Sequence, residues 1–233
     1  MKNKITRVSE AAWLVGIILC GLGVSLSVKS DLGVSMVIAP AYIIYLKLSE
    51  FIPWLTLGMA EYSMQGILII VTSLVLRRFK LKYLLCFFTA VIHGVVVDIW
   101  GRILSPIVCE TVLQRSVCCL LGAVVTATAI SLMLRTYLPQ EVYELVVKEI
   151  SDKFGFSVNR VKWIYDISSL AIGIILMLSL FYKFSFDMIG VGTLFLTVFN
   201  TPLITLAGKL FDKAFSFTPA FPKFFEKFDK IMN

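Results

Sequence analysis

The sequence predicts an all-α, polytopic helical membrane protein with six spans in two inverted three-helix repeats, each with a short non-spanning helix. Three observations predict it. First, 58% of the 233 residues are hydrophobic and 16% are charged, with a mean hydropathy of +0.89. A soluble domain holds about 45–50% apolar and about 25% charged residues. Second, apolar runs recur along the whole chain, long enough to cross a hydrocarbon core of about 30 Å. They do not alternate with period two, as the strands of a β-barrel would. Third, a cation, a hydroxyl, a backbone break and a short helix follow the first span and again the fourth.

The first span runs about 11–28, "AAWLVGIILCGLGVSLSV". A basic start precedes it, as in a signal peptide. No clear cleavage site follows before the next membrane segment, so it reads as a retained first helix. The second span runs about 55–76, the third about 83–103, the fourth about 114–136 and the fifth about 161–182. The sixth runs about 186–210, and Asn200, Thr201 and Pro202 interrupt it. Proline removes a backbone donor and kinks a helix. Carbonyls freed there can face a cavity, while Gly190 and Gly192 permit close helix packing.

Two helix-like segments are too short or too polar to span. In 34–48, "VSMVIAPAYIIYLKL", Ser35 is placed to cap the helix start. Free backbone donors there favour an anion. In 139–153, "PQEVYELVVKEISDK", Pro139 falls in the first turn, with glutamates near the start and lysines toward the end. That order suits the helix dipole. Val142, Leu145, Val146 and Ile150 share one face, so this helix lies in the interface or against the bundle. The tail "FTPAFPKFFEKFDKIMN" mixes phenylalanine with lysine and acid, as an amphipathic segment on the inner membrane surface does.

With the N-terminus inside, the outer connections hold Lys29, Lys47, Arg102, Arg115 and Lys183, leaving 17 of the 22 Lys and Arg inside. Cytoplasmic loops carry this excess. The net charge of +7 is therefore a topology signal with both termini cytoplasmic. No basic block interleaved with aromatics in a polar context argues for nucleic acid.

"VSLSVKSDLG" at 24–33 lines up with "ISLMLRTYLP" at 130–139, an offset of 106 residues. Lys29 meets Arg135, Ser30 meets Thr136 and Gly33 meets Pro139. Glu61 and Asp166 each lie early in the span after the short helix. Each half has three spans, so the halves insert with opposite orientation. The chain is then one membrane domain over 1–233, with repeat one about 10–104, repeat two about 114–211 and an amphipathic cytoplasmic tail at 212–233. Inverted repeats of this kind are common in secondary transporters, which bind substrate at the repeat interface. A duplicated scaffold without transport has the same pattern.

The "SDLGVS" of the first half and the "LPQEVYELVVKEIS…KFGFSVNRVKWIYDISS" of the second resemble the YczE/YitT-type integral membrane proteins of bacteria. The likeness covers about residues 10–210 and is nearest a branch of unknown function. Met36 stands where relatives usually have proline, and Thr201 in "NTPLI" where they carry glycine. The resemblance implies the architecture and a bacterial plasma membrane location. It supplies no substrate.

The candidate substrate or transport-pathway residues are Lys29, Ser30, Asp31, Ser35, Glu61, His93, Arg135, Glu141, Asp166 and Asn200. Lys29 and Arg135 either bind an anionic group or hold a gate near the pseudo-axis, or they snorkel to headgroups. An acid deep in a bilayer costs roughly 2.5–3.5 kcal/mol on insertion scales and so faces a cavity or a partner. Glu61 has no cation one turn away, whereas Asp166 has Lys162. Asp98 pairs with Arg102 four residues on. His93 is either a satisfied neutral histidine between helices or a proton relay. Glu141 makes an anion less welcome at the second short helix.

Cys20, Cys86, Cys109, Cys118 and Cys119 show no metal or redox spacing and read as small buried hydrophobes. No nucleotide-binding or catalytic motif occurs, so no catalytic residue, metal or cofactor is expected and the chain is not expected to be an enzyme. The expected partners are the lipid bilayer and a small solute, with no nucleic acid and a homo-oligomer left open. The leading expectation is a secondary transporter or permease for a small polar or anionic solute. The alternative is a non-transporting scaffold that binds a partner or lipid.

Overall fold

The computed structural model describes residues 5–222 and Glu226. Six helices are long and apolar enough to cross a membrane: α1 (Ser9–Lys29), α3 (Leu57–Leu76), α4 (Leu81–Ile103), α5 (Val112–Met133), α7 (Val158–Phe181) and α8 (Val191–Ala214). Two short helices, α2 (Ala39–Leu48) and α6 (Val142–Phe154), follow α1 and α5. Each half of the chain thus has the order long, short, long, long. The chain is a polytopic helical membrane protein.

Packing follows the sequence repeat. α1 crosses α5 along its length, α1 packs on α4 and α5 on α8. α2 touches α3 and α7, while α6 touches α7 and α3. The α1–α5 crossing is close because small residues line it. A Cβ on Gly23 would lie 2.1 Å from the Thr126 hydroxyl, and one on Gly122 2.7 Å from the Ser27 hydroxyl. Small residues let backbones approach, which is how membrane helices gain van der Waals contact. One seam breaks the match: α3 packs on α4, but α7 and α8 are parted.

Several local expectations change. Ser35 does not cap α2; its carbonyl accepts from the Ile38 and Ala39 amides in a preceding turn, and the helix starts at Ala39 with Pro40 in its first turn. Pro139 is not in the first turn of α6, which starts at Val142 with Glu141 at its N-cap. The Pro139 carbonyl instead accepts from Trp13 at 2.9 Å and Thr89 at 3.1 Å. α8 is not interrupted: it runs through Pro202. Asp98 is not paired with Arg102 or another cation among the described residues; it accepts from the Thr56 hydroxyl at 2.6 Å and the Gly58 amide at 2.9 Å, capping α3. α6 packs against the bundle: Val142, Leu145 and Val146 sit with Ile69, Tyr83, Cys86 and Ala90 in one apolar cluster.

The first described residues meet the segment after α8. Strand β1 (Ile5–Val8) runs parallel to strand β2 (Phe215–Thr218), a small departure from an all-α chain that puts both strands at one face of the bundle. Glu10 accepts from the Tyr137 hydroxyl and from the Ala220 amide, at 3.0 Å for the latter. β2 occupies the start of the expected amphipathic tail. Residues 223–225 and 227–233 of that tail lie outside the described residues.

The loop after α1 turns sharply because Asp31 and Gly33 both take positive φ, 48° and 94°. Glycine adopts that conformation without Cβ strain. At Gly33 it also serves packing, since a Cβ there would lie 2.4 Å from the Gly190 backbone nitrogen. The Leu32 carbonyl accepts from the Gly192 amide at 2.8 Å, so this loop rests on the start of α8.

Candidate functional site

A cavity of about 450 Å³ lies between the two halves. Ser35 and Glu141, ahead of the two short helices, both line it and are 106 residues apart. Cys20 of α1 and Thr126 of α5 are another such pair in the wall. The cavity therefore follows the pseudo-axis. From there it extends between α5, α6, α7 and α8 to exposed Lys148 and Asp152, using the gap where α7 and α8 part.

Its floor is polar and buried. α3 presents Glu61 and Gln65 one turn apart on the same face, both essentially fully buried. α4 presents His93, also buried. His93 Nδ1 is 3.5 Å from Glu61 Oε1 and 3.5 Å from Glu141 Oε1. Cys20 Sγ lies 3.8 Å from Glu141 Oε1. Gln65 holds Glu141 in place: its Nε2 donates to Glu141 Oε2 at 3.3 Å, and its Oε1 accepts from the Val142 amide at 3.0 Å. The first amide of α6 is thus capped by a different helix. Both carboxylate oxygens of Glu61 and both ring nitrogens of His93 are buried without a hydrogen-bond partner among the described residues. Unpartnered buried polar atoms are costly and call for a partner that arrives from elsewhere.

Of the sequence candidates, Ser35, Glu61, His93, Glu141 and Asn200 line the cavity. The Asn200 Oδ1 is buried without a partner among the described residues. Five candidates stand apart from it. Lys29 donates to the Ser105 carbonyl at 3.2 Å. Arg135 forms a two-pronged pair with Asp212, both bonds 2.7 Å, and donates to Ser131. Ser30 bonds back to the Ser27 carbonyl, and Asp31 faces Arg115 at 3.9 Å. Asp166 pairs with Lys162 at 3.5 Å, the i,i+4 contact expected from spacing. Lys29 and Arg135 are not facing half-sites in the cavity; each is tied into the ends of its own region. His93 makes no hydrogen bond to a described residue, and carboxylates of Glu61 and Glu141 stand 3.5 Å from its Nδ1. Cys20, read as a small hydrophobe, is part of the floor. Gln65 was legible, since it stands one turn after Glu61 in an apolar span. Tyr143 and Glu144 also line the cavity and were visible only as members of an amphipathic segment; Lys162, also in the wall, was visible as the cation one turn before Asp166.

A further buried acid has a different setting. Glu149 of α6 bonds Lys82 at 2.6 Å, Lys80 at 3.0 Å, Arg78 at 3.1 Å and the Tyr83 hydroxyl at 2.8 Å. Burial alone would raise its pKa. Hydrogen bonds from Lys82, Lys80 and Tyr83 outweigh this and hold it down to about 2.

Fold and site together define a six-span membrane protein with a buried, carboxylate-lined cavity. The chain belongs to the family of unknown function DUF6198, whose model matches residues 8–209. It is 28% identical over 184 residues to the uncharacterized protein YyaS of Bacillus subtilis (strain 168), covering 77% of this chain and 82% of that protein. No solved structure matches.

Proposed function

We propose that this protein is a secondary transporter or permease of the bacterial plasma membrane, with both termini cytoplasmic, and not an enzyme. One observation carries the proposal: a cavity at the junction of two matched halves ends on Glu61 and His93, whose buried polar atoms lack partners among the described residues. Ionisable groups inside membrane bundles mark substrate or proton pathways. The floor carries more acid than base, so a small polar solute with positive charge fits it better than an anion. The distribution of Lys and Arg supports the orientation. The "SDLGVS" and "LPQEVYELVVKEIS" stretches support kinship with the YczE/YitT-type proteins.

The test is flux into liposomes carrying purified protein, with small amines and divalent cations as solutes and an internal pH dye. Glu61→Gln is expected to abolish flux. Lys29→Ala, outside the cavity, is expected to leave it within about twofold, a surface-type change. If folded protein moves none of these solutes, the permease assignment fails. The alternative is a non-transporting lipid- or partner-binding scaffold. The gap between α7 and α8, through which a chain could enter from the side, favours it.

A further inference from the structure

The cavity floor holds four side chains that ordinarily bind metals: Cys20, Glu61, His93 and Glu141. The donor atoms of Cys20, His93 and Glu141 are spaced for a central ion, while Glu61 stands outside that group, 3.5 Å from His93 Nδ1. Bonds of about 2.0–2.3 Å at tetrahedral angles place neighbouring donors about 3.3–3.8 Å apart. The measured separations are 3.5 Å for His93 Nδ1 to Glu141 Oε1 and 3.8 Å for Cys20 Sγ to Glu141 Oε1. Cys20, His93 and Glu141 offer one donor atom each, all within 4.8 Å of one another.

A proton held directly between these groups would leave different distances. An imidazolium bound to a carboxylate sits about 2.7–2.9 Å from it. At 3.5 Å from two carboxylates, His93 touches neither and leaves room between them. The unpartnered oxygens of Glu61 and ring nitrogens of His93 supply a second, independent sign of a missing partner. Gln65 supports the floor from behind by holding Glu141 Oε2, as outer-shell residues orient metal ligands.

We propose that this floor binds a divalent transition-metal ion of the Zn²⁺ class, and that this ion is the solute of the permease proposed above. The donor set decides the class. Mg²⁺ and Ca²⁺ take oxygen ligands, whereas mixed sulfur, nitrogen and oxygen donors suit Zn²⁺ and Co²⁺. Charge balances without an added anion: the thiolate of Cys20 and the carboxylate of Glu141 offset two positive charges, and a neutral His93 ring completes three protein donors. Binding exchanges a proton for the metal. The S–H bond of Cys20 breaks, the S–metal bond forms, and the proton leaves to water in the cavity. No oxidant or reductant takes part.

Purified full-length protein in detergent is titrated with Co²⁺, then with Zn²⁺, with circular dichroism and gel filtration confirming the fold. One Co²⁺ per chain is expected, with a thiolate-to-cobalt charge-transfer band that Zn²⁺ removes. Cys20→Ser abolishes the band while the protein stays folded. Gln65→Ala, which touches no ion, weakens binding about 10–100-fold. Absence of saturable binding by folded protein overturns the proposal, as does a Cys20→Ser variant with an unchanged spectrum. Zn²⁺ flux into liposomes separates the two proposals. Saturable binding with the band but no flux supports the metal site and removes the permease assignment. Flux of amines by a protein that binds neither Co²⁺ nor Zn²⁺ keeps the permease and removes the metal.

Discussion

The short helices α2 and α6 occupy matched places in the two halves and are built from opposite materials. The offset of 106 residues pairs Ile43 with Glu149, and both are essentially fully buried. Ile43 sits in an apolar cluster with Val97, Met177 and Ile189. Glu149 sits in a cage of Lys80, Lys82, Arg78 and Tyr83. The residues ahead of the helices differ in the same sense: Ser35 before α2, Glu141 before α6. The neighbouring seams differ too, with α3 closed on α4 and α7 parted from α8. The first half contributes a rigid wall and the floor residues Glu61 and His93. The second contributes the polar short helix and the opening. The two halves share an order of helices, and the cavity lies where their matched positions carry different residues.

The sharpest way to break this comparison is to remove each of the two matched residues. Truncating one partner of a buried ion pair costs on the order of 3–5 kcal/mol, because the remaining charge is left uncompensated. Glu149→Ala is expected to lose that much, since Lys82 is buried with it. Ile43→Ala is expected to lose about 2–5 kcal/mol through a cavity. Adding 1 M salt should weaken the Glu149 contribution in part, because Arg78 and Lys80 of its cage are 44% and 33% exposed, and leave that of Ile43 unchanged. pH should separate the two further. A carboxylate held down to about 2 contributes stability above its unfolded pKa of about 4.3, lost as pH falls toward 2. Unfolding of wild type in detergent should therefore be flat in this respect from pH 7 to about 5. Below that, the wild-type advantage over Glu149→Ala should shrink, while its advantage over Ile43→Ala should not. Equal pH profiles for the two differences would remove the distinction between the helices.

The architecture was legible because bilayer thickness fixes span length and apolar runs report it directly. All six spans and both short helices are within a few residues of their sequence positions. Half of the site was legible for a related reason: an acid such as Glu61 inside an apolar run needs a partner. The rest was not, because it depends on distance in space. Nothing in "IILCGLG" says that Cys20 faces Glu141, which comes from a loop 121 residues away. Lys29 and Arg135 misled for the opposite reason. Their matched positions are real, but Ser105 and Asp212, which satisfy them, are far along the chain. Pro202 did not break α8, because a membrane helix can carry a proline when its freed carbonyl is otherwise accommodated.

The seams offer a second comparison of smaller size. A Cβ on Gly58, where α3 crosses α4, would lie 2.0 Å from the Gly94 carbonyl oxygen. Backbone cannot yield as a side chain can, so Gly58→Ala should cost about 1–3 kcal/mol by overpacking. Gly173 lies on α7, and a Cβ there would meet Ile189 at 3.3 Å and Ala39 at 3.4 Å. The helix-propensity gain of up to about 1 kcal/mol should offset that tightness. Gly173→Ala is therefore expected to unfold within about 1 kcal/mol of wild type. A large loss at Gly173 would mean that the second half is packed as tightly as the first.

The smallest effect tests the open half from inside. Asn200 of α8 lines the cavity, and its side-chain oxygen is buried without a partner among the described residues. A buried, unmatched polar group costs about 1–3 kcal/mol, so an apolar residue of similar volume should relieve part of it. Asn200→Leu is expected to raise stability by about 1 kcal/mol or leave it unchanged. The same substitution removes a polar group from the proposed pathway and, if the permease proposal holds, should slow flux in liposomes. Stability and activity then move in opposite directions, which a residue serving only the scaffold would not produce. If Asn200→Leu lowered stability, the oxygen would have a structural partner. The open half would then be held together there rather than left open for a solute.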